Sequence, residues 1–246
     1  MAMMNIKNVY DKIGDIWNTM DGEKNIKPID IFTFAETEEN LVAPKSDRYV
    51  WYGINKDPPN HRYAGAGAYI RQEIAKFTTI IKEISNQDIM WLQIVTEKTP
   101  LFLAVVYCSP SKNEVLESVN NNIRTNYNRL SKIGKVLING DFNGRMGTTT
   151  RDALTNQRGK MIIKMCKETG LEVTKSKQPE GKQWTFYHVH KGQSVIDLAL
   201  INKKDKHTIS HYEVHKNVSL GSDHRLVTFN WNIWGTNKIE AMGPPS

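Results

Sequence analysis

The stretch "KVLINGDFNGRMG", Lys135–Gly147, decides how the chain is read. Its first half is a short, β-rich apolar run, the pattern of a buried strand. Its second half, Gly140-Asp141-Phe142-Asn143, changes character abruptly. If the extended conformation persists, side chains alternate, so Asp141 and Asn143 face one way while Phe142 turns into the core. A carboxylate and an amide so placed can orient a water and relieve it of a proton. Asp, Asn and Gly are also the ordinary punctuation after a strand. The stretch therefore reads either as a polar turn or as part of a catalytic site, and its surroundings have to separate the two.

Working toward the amino end, "LFLAVVY", "IMWLQIV", "TTIIKEI", "AGAYIR" and "RYVWYGI" are short strand-like runs separated by turn-rich pieces such as "TEKTP" and "NKDPPNH". "PIDIFTFAE" is a further buried strand that stops at Glu36. Ahead of it Val9, Ile13, Ile16, Trp17 and Met20 fall at helical spacing with Gly22 as the stop. Val115, Val119, Ile123, Tyr127 and Leu130 predict a second helix just before the opening stretch. Beyond that stretch come a helix around "GKMIIKMCKETG" and strands at "LEVTK", "QWTFYH", "SVIDLALI", "HYEVH" and "RLVTFNWNIW". Strands dominate and few crossovers could make parallel pairs. The expectation is an α+β fold: a four-layer α/β/β/α sandwich of two mostly antiparallel sheets with helices outside. One domain over residues 1–234 and a polar, Gly/Pro-rich tail or linker over 235–246 complete it.

The bulk numbers fit one large core. The chain has 246 residues, 39% hydrophobic and 24% charged, so burial of apolar surface can offset the entropy of folding. Lys and Arg outnumber Asp and Glu by 33 to 26, a net +7 that suits a negatively charged partner or a solvated basic face. Cys108 and Cys166 lack the spacing of a disulfide framework or zinc site, which suggests a reduced, intracellular chain. No run approaches ~18 apolar residues and the start lacks an apolar leader, so neither a membrane span nor secretion is expected. His188 and His190 in "YHVHK" share no third ligand, which argues against zinc.

Three further carboxylates and an imidazole stand out. Asp197 sits inside the apolar "SVIDLALI", where an unpartnered carboxylate costs several kcal/mol unless it lies at a wet sheet edge. His224 in "LGSDHRLV" is the attractive partner: a buried Asp accepting its ring N–H fixes the tautomer and raises its basicity. Asp223 and His224 share a face only on a kinked backbone, which Gly221 permits; the plain alternative is an Asx turn with a surface His. Glu36, at a strand's carboxyl end, is placed to hold a hard cation such as Mg2+, or is one of several solvated glutamates in "ETEENL".

In order, Asn5 in "NIKNVYDKIGDI", Glu36 in "DIFTFAET", Tyr107 in "VVYCSP", then "NGDFN", "VIDLAL" and "GSDHRLV" resemble the motifs of the endonuclease/exonuclease/phosphatase superfamily over nearly the whole chain. Within it, "YCSP", "GDFNGRMG" and "RGKMIIKMCKETGLEV" are most similar to the apurinic-endonuclease-type domain of non-LTR (LINE-type) retrotransposon proteins. The resemblance implies a metal-dependent endonuclease acting on double-stranded DNA, nuclear when it does so, nicking one strand to leave a 3′-hydroxyl that primes reverse transcription. The implied cofactor is Mg2+, with Mn2+ as a substitute, and the implied partner a reverse transcriptase region in a longer parent protein. Carried over by motif, Glu36 binds metal with Asn5 and Asp223 beside it; Asp141 and Asn143 hold and activate the water. Tyr107 touches the scissile phosphate, and His224 held by Asp197 stabilises charge or acts as the base. Arg145, Arg151, Arg158, Lys203 and Lys204 are candidate DNA contacts. Two departures are visible: only four residues precede Asn5, where the family has a full strand, and Cys108 stands where many relatives carry Arg. The rival readings are a phosphatase of the same fold acting on a phosphoinositide or other phosphoester, and a basic nucleic-acid-binding module with a dead site.

Overall fold

The structure, a computed structural model, describes residues 1–22, 26–37, 45–54, 65–111, 113–175 and 183–232. The turn expected in "NKDPPNH" and the tail expected over 235–246 lie outside the described residues.

The chain opens with β1 (Ala2–Asn5), a single 3-10 turn, α1 (Ile13–Met20), β2 (Ile31–Ala35), β3 (Tyr49–Ile54), β4 (Ala66–Arg71) and the one-turn α2 (Gln72–Ala75). It continues through β5 (Thr78–Ile80), β6 (Ile89–Ile94), β7 (Leu101–Tyr107), α3 (Asn113–Leu130), β8 (Lys135–Asp141) and α4 (Gln157–Thr169). The last strands are β9 (Leu171–Val173), β10 (Phe186–His188), β11 (Gly192–Ser194), β12 (Asp197–Asn202), β13 (Ile209–His215) and β14 (Leu226–Trp231). Two six-stranded sheets result, ordered β13-β14-β1-β2-β4-β3 and β5-β6-β7-β8-β12-β9, while β10 and β11 form a separate hairpin.

Each sheet has one parallel pair at its centre, β1/β2 and β7/β8, and antiparallel neighbours everywhere else. The period-2 alternation of β7 shows how the layers form. Leu101, Leu103 and Val105 enter the core between the sheets, with Met3, Ala68, Leu137 and Val227. Phe102, Ala104 and Val106 point the other way, into a second core under α3 and α4 with Ile123, Met165 and Leu200. A third apolar layer, Phe32, Phe34 and Tyr69 against Ile16 and Met20, seats α1 on the first sheet. Three apolar layers separate four layers of structure, as the sequence predicted.

Two local departures have clear causes. Only the first half of "TTIIKEI" is a strand, because Ile81 and Ile84 both pack on the outer core and three-residue spacing shares a face in a 3-10 turn but not in a strand. The short lead before Asn5 suffices for a strand, because Asn5 is itself its last residue: β1 is four residues long, fully buried, and clamped between β2 and β14.

Candidate active site

The register of the second sheet gathers three of the singled-out residues. Tyr107 pairs with Asp141 across β7/β8, and Asp141 with Asp197 across β8/β12, so all three lie in one row at one end. Strand β8 reaches that row through Gly140, whose φ of 134° puts a hypothetical Cβ 2.0 Å from the Val106 carbonyl oxygen; only glycine fits. Asp197 lies on an interior strand and is 1% exposed, so the wet-edge reading fails.

After Asp141 the chain stops being extended. Asn143 adopts φ 48°, and its backbone N–H and its amide Nδ2 donate to Asp141 Oδ1 (2.8 Å) and Oδ2 (3.0 Å). Asp141 and Asn143 thus meet through a turn rather than through strand alternation, with Phe142 fully buried between them. The opening stretch is both a turn and part of the constellation. Arg158 of α4 holds that turn: its guanidinium donates to the carbonyls of Asn143 (2.9 Å), Phe142 (3.2 Å) and Cys108 (3.1 Å), and to the Cys108 thiol.

The first sheet supplies the rest. Asn5 ends β1 beside Ala35, and its Nδ2 bridges Glu36 Oε2 (2.7 Å) and Asp141 Oδ2 (2.8 Å), joining the two sheets. His224, just before β14, donates or accepts through Nδ1 at 2.8 Å from Asp197 Oδ2, and its Nε2 lies 3.8 Å from Asp141 Oδ2. The loop before it does kink, with Leu220 and Gly221 at positive φ, and the Ser222 hydroxyl ties it down by donating to the Asn5 carbonyl (2.8 Å). His224 is 4% exposed, so it is no surface residue of a turn. Asp223 pairs with Lys7 Nζ at 2.8 Å. Among the described residues seven non-glycines have positive φ, and Lys7, Asn8, Glu36, Asn143 and Leu220 all belong to the segments that shape this cluster. Such strain persists only where surrounding contacts over-determine the backbone.

Burial and mutual charge govern the electrostatics. Burial, with Asp197 alongside, pushes the Asp141 carboxyl up to about 7, against the His224 charge and the hydrogen bonds from Asn5 and Asn143. Burial disfavours the His224 imidazolium, yet Asp197, then Asp141 and Asp223, outweigh it and raise the group to about 9. Glu36 is raised by burial, opposed by the Asn5 hydrogen bond and the Lys7 charge. Burial and the Glu36 and Asp141 charges push the Tyr107 phenol upward, so it keeps its proton. The donors around Glu36, Asn5 and Asp223 are all oxygen, and Asn5 Oδ1 is buried with no hydrogen-bond partner; both facts suit a hard cation.

The expected basic contacts fare differently. Arg158 is 7% exposed and serves backbone carbonyls, so it offers nothing to a partner. Arg145 is committed to Asp152, at 2.5 Å. Lys203 and Lys204 are exposed but follow the far end of β12, five residues or roughly 17 Å from Asp197, away from the cluster. Arg151 is exposed, at φ 58°. Sequence reasoning missed Lys7, Ser222 and the turn-holding role of Arg158. Only Arg158 left a signal: a basic residue opening a helix, where the macrodipole disfavours it unless it has partners. Among the described residues the Asp/Glu/His/Cys group tight enough for a metal is Asp141, Asp197 and His224; His188 and His190 are not part of one.

Two mixed sheets packed face to face, with Asn, Glu, Asp and His converging at the ends of their central strands, define a domain of the endonuclease/exonuclease/phosphatase class. Solved structures share the architecture. The endonuclease domain of TRAS1, a telomere-specific non-LTR retrotransposon, matches with TM-score 0.71 and 16% identity over 95% of this chain and 98% of that one. AP endonuclease LMAP from Leishmania major matches with TM-score 0.72 and 10% identity, covering 93% and 86%. A 3′ phosphatase, NExo, from Neisseria, bound to product DNA hairpin, matches with TM-score 0.65 and 15% identity, covering 94% and 98%. No curated protein matches in sequence. The chain belongs to the endonuclease-reverse transcriptase family, whose sequence model spans residues 101–228.

Proposed function

We propose that the domain is a Mg2+-dependent DNA endonuclease that hydrolyses one strand of a duplex and leaves a 3′-hydroxyl. The observation that carries this reading is the hydrogen-bonded chain Glu36–Asn5–Asp141–Asn143, flanked by Asp197–His224, which brings five separate segments to one point. Hydrolysis of a phosphodiester needs in-line positioning and neutralised charge more than a covalent nucleophile. Asn143 and Asp141 hold the attacking water, and Asp141, its carboxyl made more basic by burial and by the Asp197 charge, takes its proton. His224 is held by Asp197 in one orientation, keeps its proton at neutral pH and stabilises charge growing on the phosphate. Tyr107, protonated, donates a hydrogen bond to a phosphate oxygen. Glu36, Asn5 and Asp223 would hold the Mg2+, for which Mn2+ substitutes; when bound, such an ion withdraws charge from the phosphate and the leaving oxygen. The buried Asp141/Asp197/His224 group is a poorer cation site, because its Asp197 Oδ2 and His224 Nδ1 already face each other.

The test is a supercoiled plasmid incubated with the protein, with Mg2+ or with a chelator. Conversion to open circles with Mg2+ alone, and ends that a polymerase extends, are the expected outcomes. No nicking beside turnover of a phosphoinositide or a 3′-phosphate would move the assignment to the phosphatase reading.

A further inference from the structure

Lys7 has no part in the scheme above, yet it stands inside it. Its ammonium is 2.8 Å from Asp223 Oδ1, so it is paired with one of the three residues assigned to the cation, and its charge opposes the upward shift that burial imposes on Glu36. An exposed ion pair of this kind is usually inconsequential, but this one is built. Lys7 and Asn8 both have positive φ, 58° and 146°, in consecutive L residues. The segment is pinned on both sides: the Ile6 N–H donates to the Ala35 carbonyl (3.1 Å), and Lys12 Nζ donates to the Ile6 carbonyl. The Asn8 side chain accepts from the Tyr10 N–H (2.8 Å) and donates to Asp11 (3.0 Å). The backbone is thus held in an unfavourable turn whose result is a lysine laid against Asp223, itself only 16% exposed. Asn5 Oδ1 is buried without a hydrogen-bond partner, and Asp223 Oδ1 has no partner beyond this ion pair, so the ammonium meets the charge requirement of the site without meeting its coordination requirement.

We propose that Lys7 is the resident counter-ion of the cation subsite, lying against Asp223 when no divalent ion is bound and giving up its ion pair when one enters. The ion therefore binds against an internal competitor, and its affinity is lower than the oxygen donors alone would set. This rests on assigning Glu36, Asn5 and Asp223 to the cation, and the experiment separates the two ideas. Mn2+ is titrated calorimetrically into chelator-stripped full-length protein carrying Lys7, Lys7→Met, Lys7→Arg or Glu36→Gln, with thermal melts of each with and without Mn2+. Lys7→Met should bind Mn2+ roughly tenfold more tightly, the scale of removing one close like charge. It should also melt lower without metal and gain more from it, while Lys7→Arg stays near the parent. Binding weakened by Glu36→Gln but unchanged or weaker in Lys7→Met overturns this inference and leaves the cation assignment standing. Binding indifferent to both substitutions overturns both. Should Lys7→Met not fold, Lys7→Gln gives the same comparison with a polar side chain.

Discussion

At the scale of single residues, the constellation separates groups that act from groups that hold. In the proposed scheme His224 stabilises charge on the phosphate, so His224→Ala should lower nicking by ~10²-fold or more while the fold and DNA affinity change little. Single-turnover nicking beside a far-UV spectrum checks this, and a parental rate would return "GSDH" to a mere turn. Asp197→Asn should be milder but still damaging, because an amide does not fix the tautomer of the imidazole. Arg158 is the opposite case. Its guanidinium satisfies three carbonyls, two of them in buried hydrogen bonds, so Arg158→Met should cost on the order of 2–3 kcal/mol in a urea titration. Arg158→Lys should not restore it, since an ammonium lacks the planar fork that reaches several acceptors at once. The thiol of Cys108 ends up as one of those acceptors, 3.1 Å from Arg158.

At the scale of elements, the site is a product of register. Because Tyr107, Asp141 and Asp197 are consecutive across three strands, a one-residue slip of β8 would turn Asp141 away from both partners. Gly140 guards that register, and Gly140→Ala should destabilise the protein by about 3 kcal/mol or more, read from the shift in urea midpoint at unchanged slope. Much of this was legible in the sequence. Apolar alternation and turn chemistry gave almost every strand and helix, and the isolated Asp197 in an apolar run pointed to His224 before any contact was visible. Alternation predicts Asp141 and Asn143 on one face with a water between them; their direct hydrogen bonds are not legible, because alternation cannot reveal that the strand ends at Asp141 and turns. Lys7 was invisible because its importance comes from positive φ and from a loop more than 200 residues away, neither of which leaves a periodic trace. Arg158 is misread in sequence because a charge count does not distinguish a guanidinium in solvent from one that serves backbone carbonyls.

For the whole molecule, the cluster couples stability to protons and to metal. His224 is raised from its usual value to about 9, so its contribution is complete below about pH 6.5 and lost as pH rises through 9. Asp141 is raised to about 7, so its contribution is lost as pH rises through 7. Both act in one direction: the metal-free protein should lose urea resistance between about pH 6 and 9. Saturating Mg2+ should flatten that slope, because the cation takes over the charge the protons had balanced. A metal-free stability that rises over this window would contradict the site's electrostatics. Duplex DNA binding, driven by the net +7, should fall steeply between ~50 and ~200 mM salt and depend little on sequence. Fluorescence anisotropy at several salt concentrations measures both.

The pairing of β1 with β14 has a mechanical side. Ala2 lies opposite Thr228 in antiparallel neighbours, so the chain enters one strand and leaves the other at the same end of the sheet, the end away from Asn5 and His224. Tension applied between those two points loads the hydrogen bonds one after another, as a zip opens, instead of shearing them together. The tear runs toward the cluster along a strand only four residues long, and when it arrives Asn5 is pulled out from between Glu36 and Asp141. A domain pulled on at these two strands would lose the Asn5 bridge before any strand of its second sheet was loaded directly.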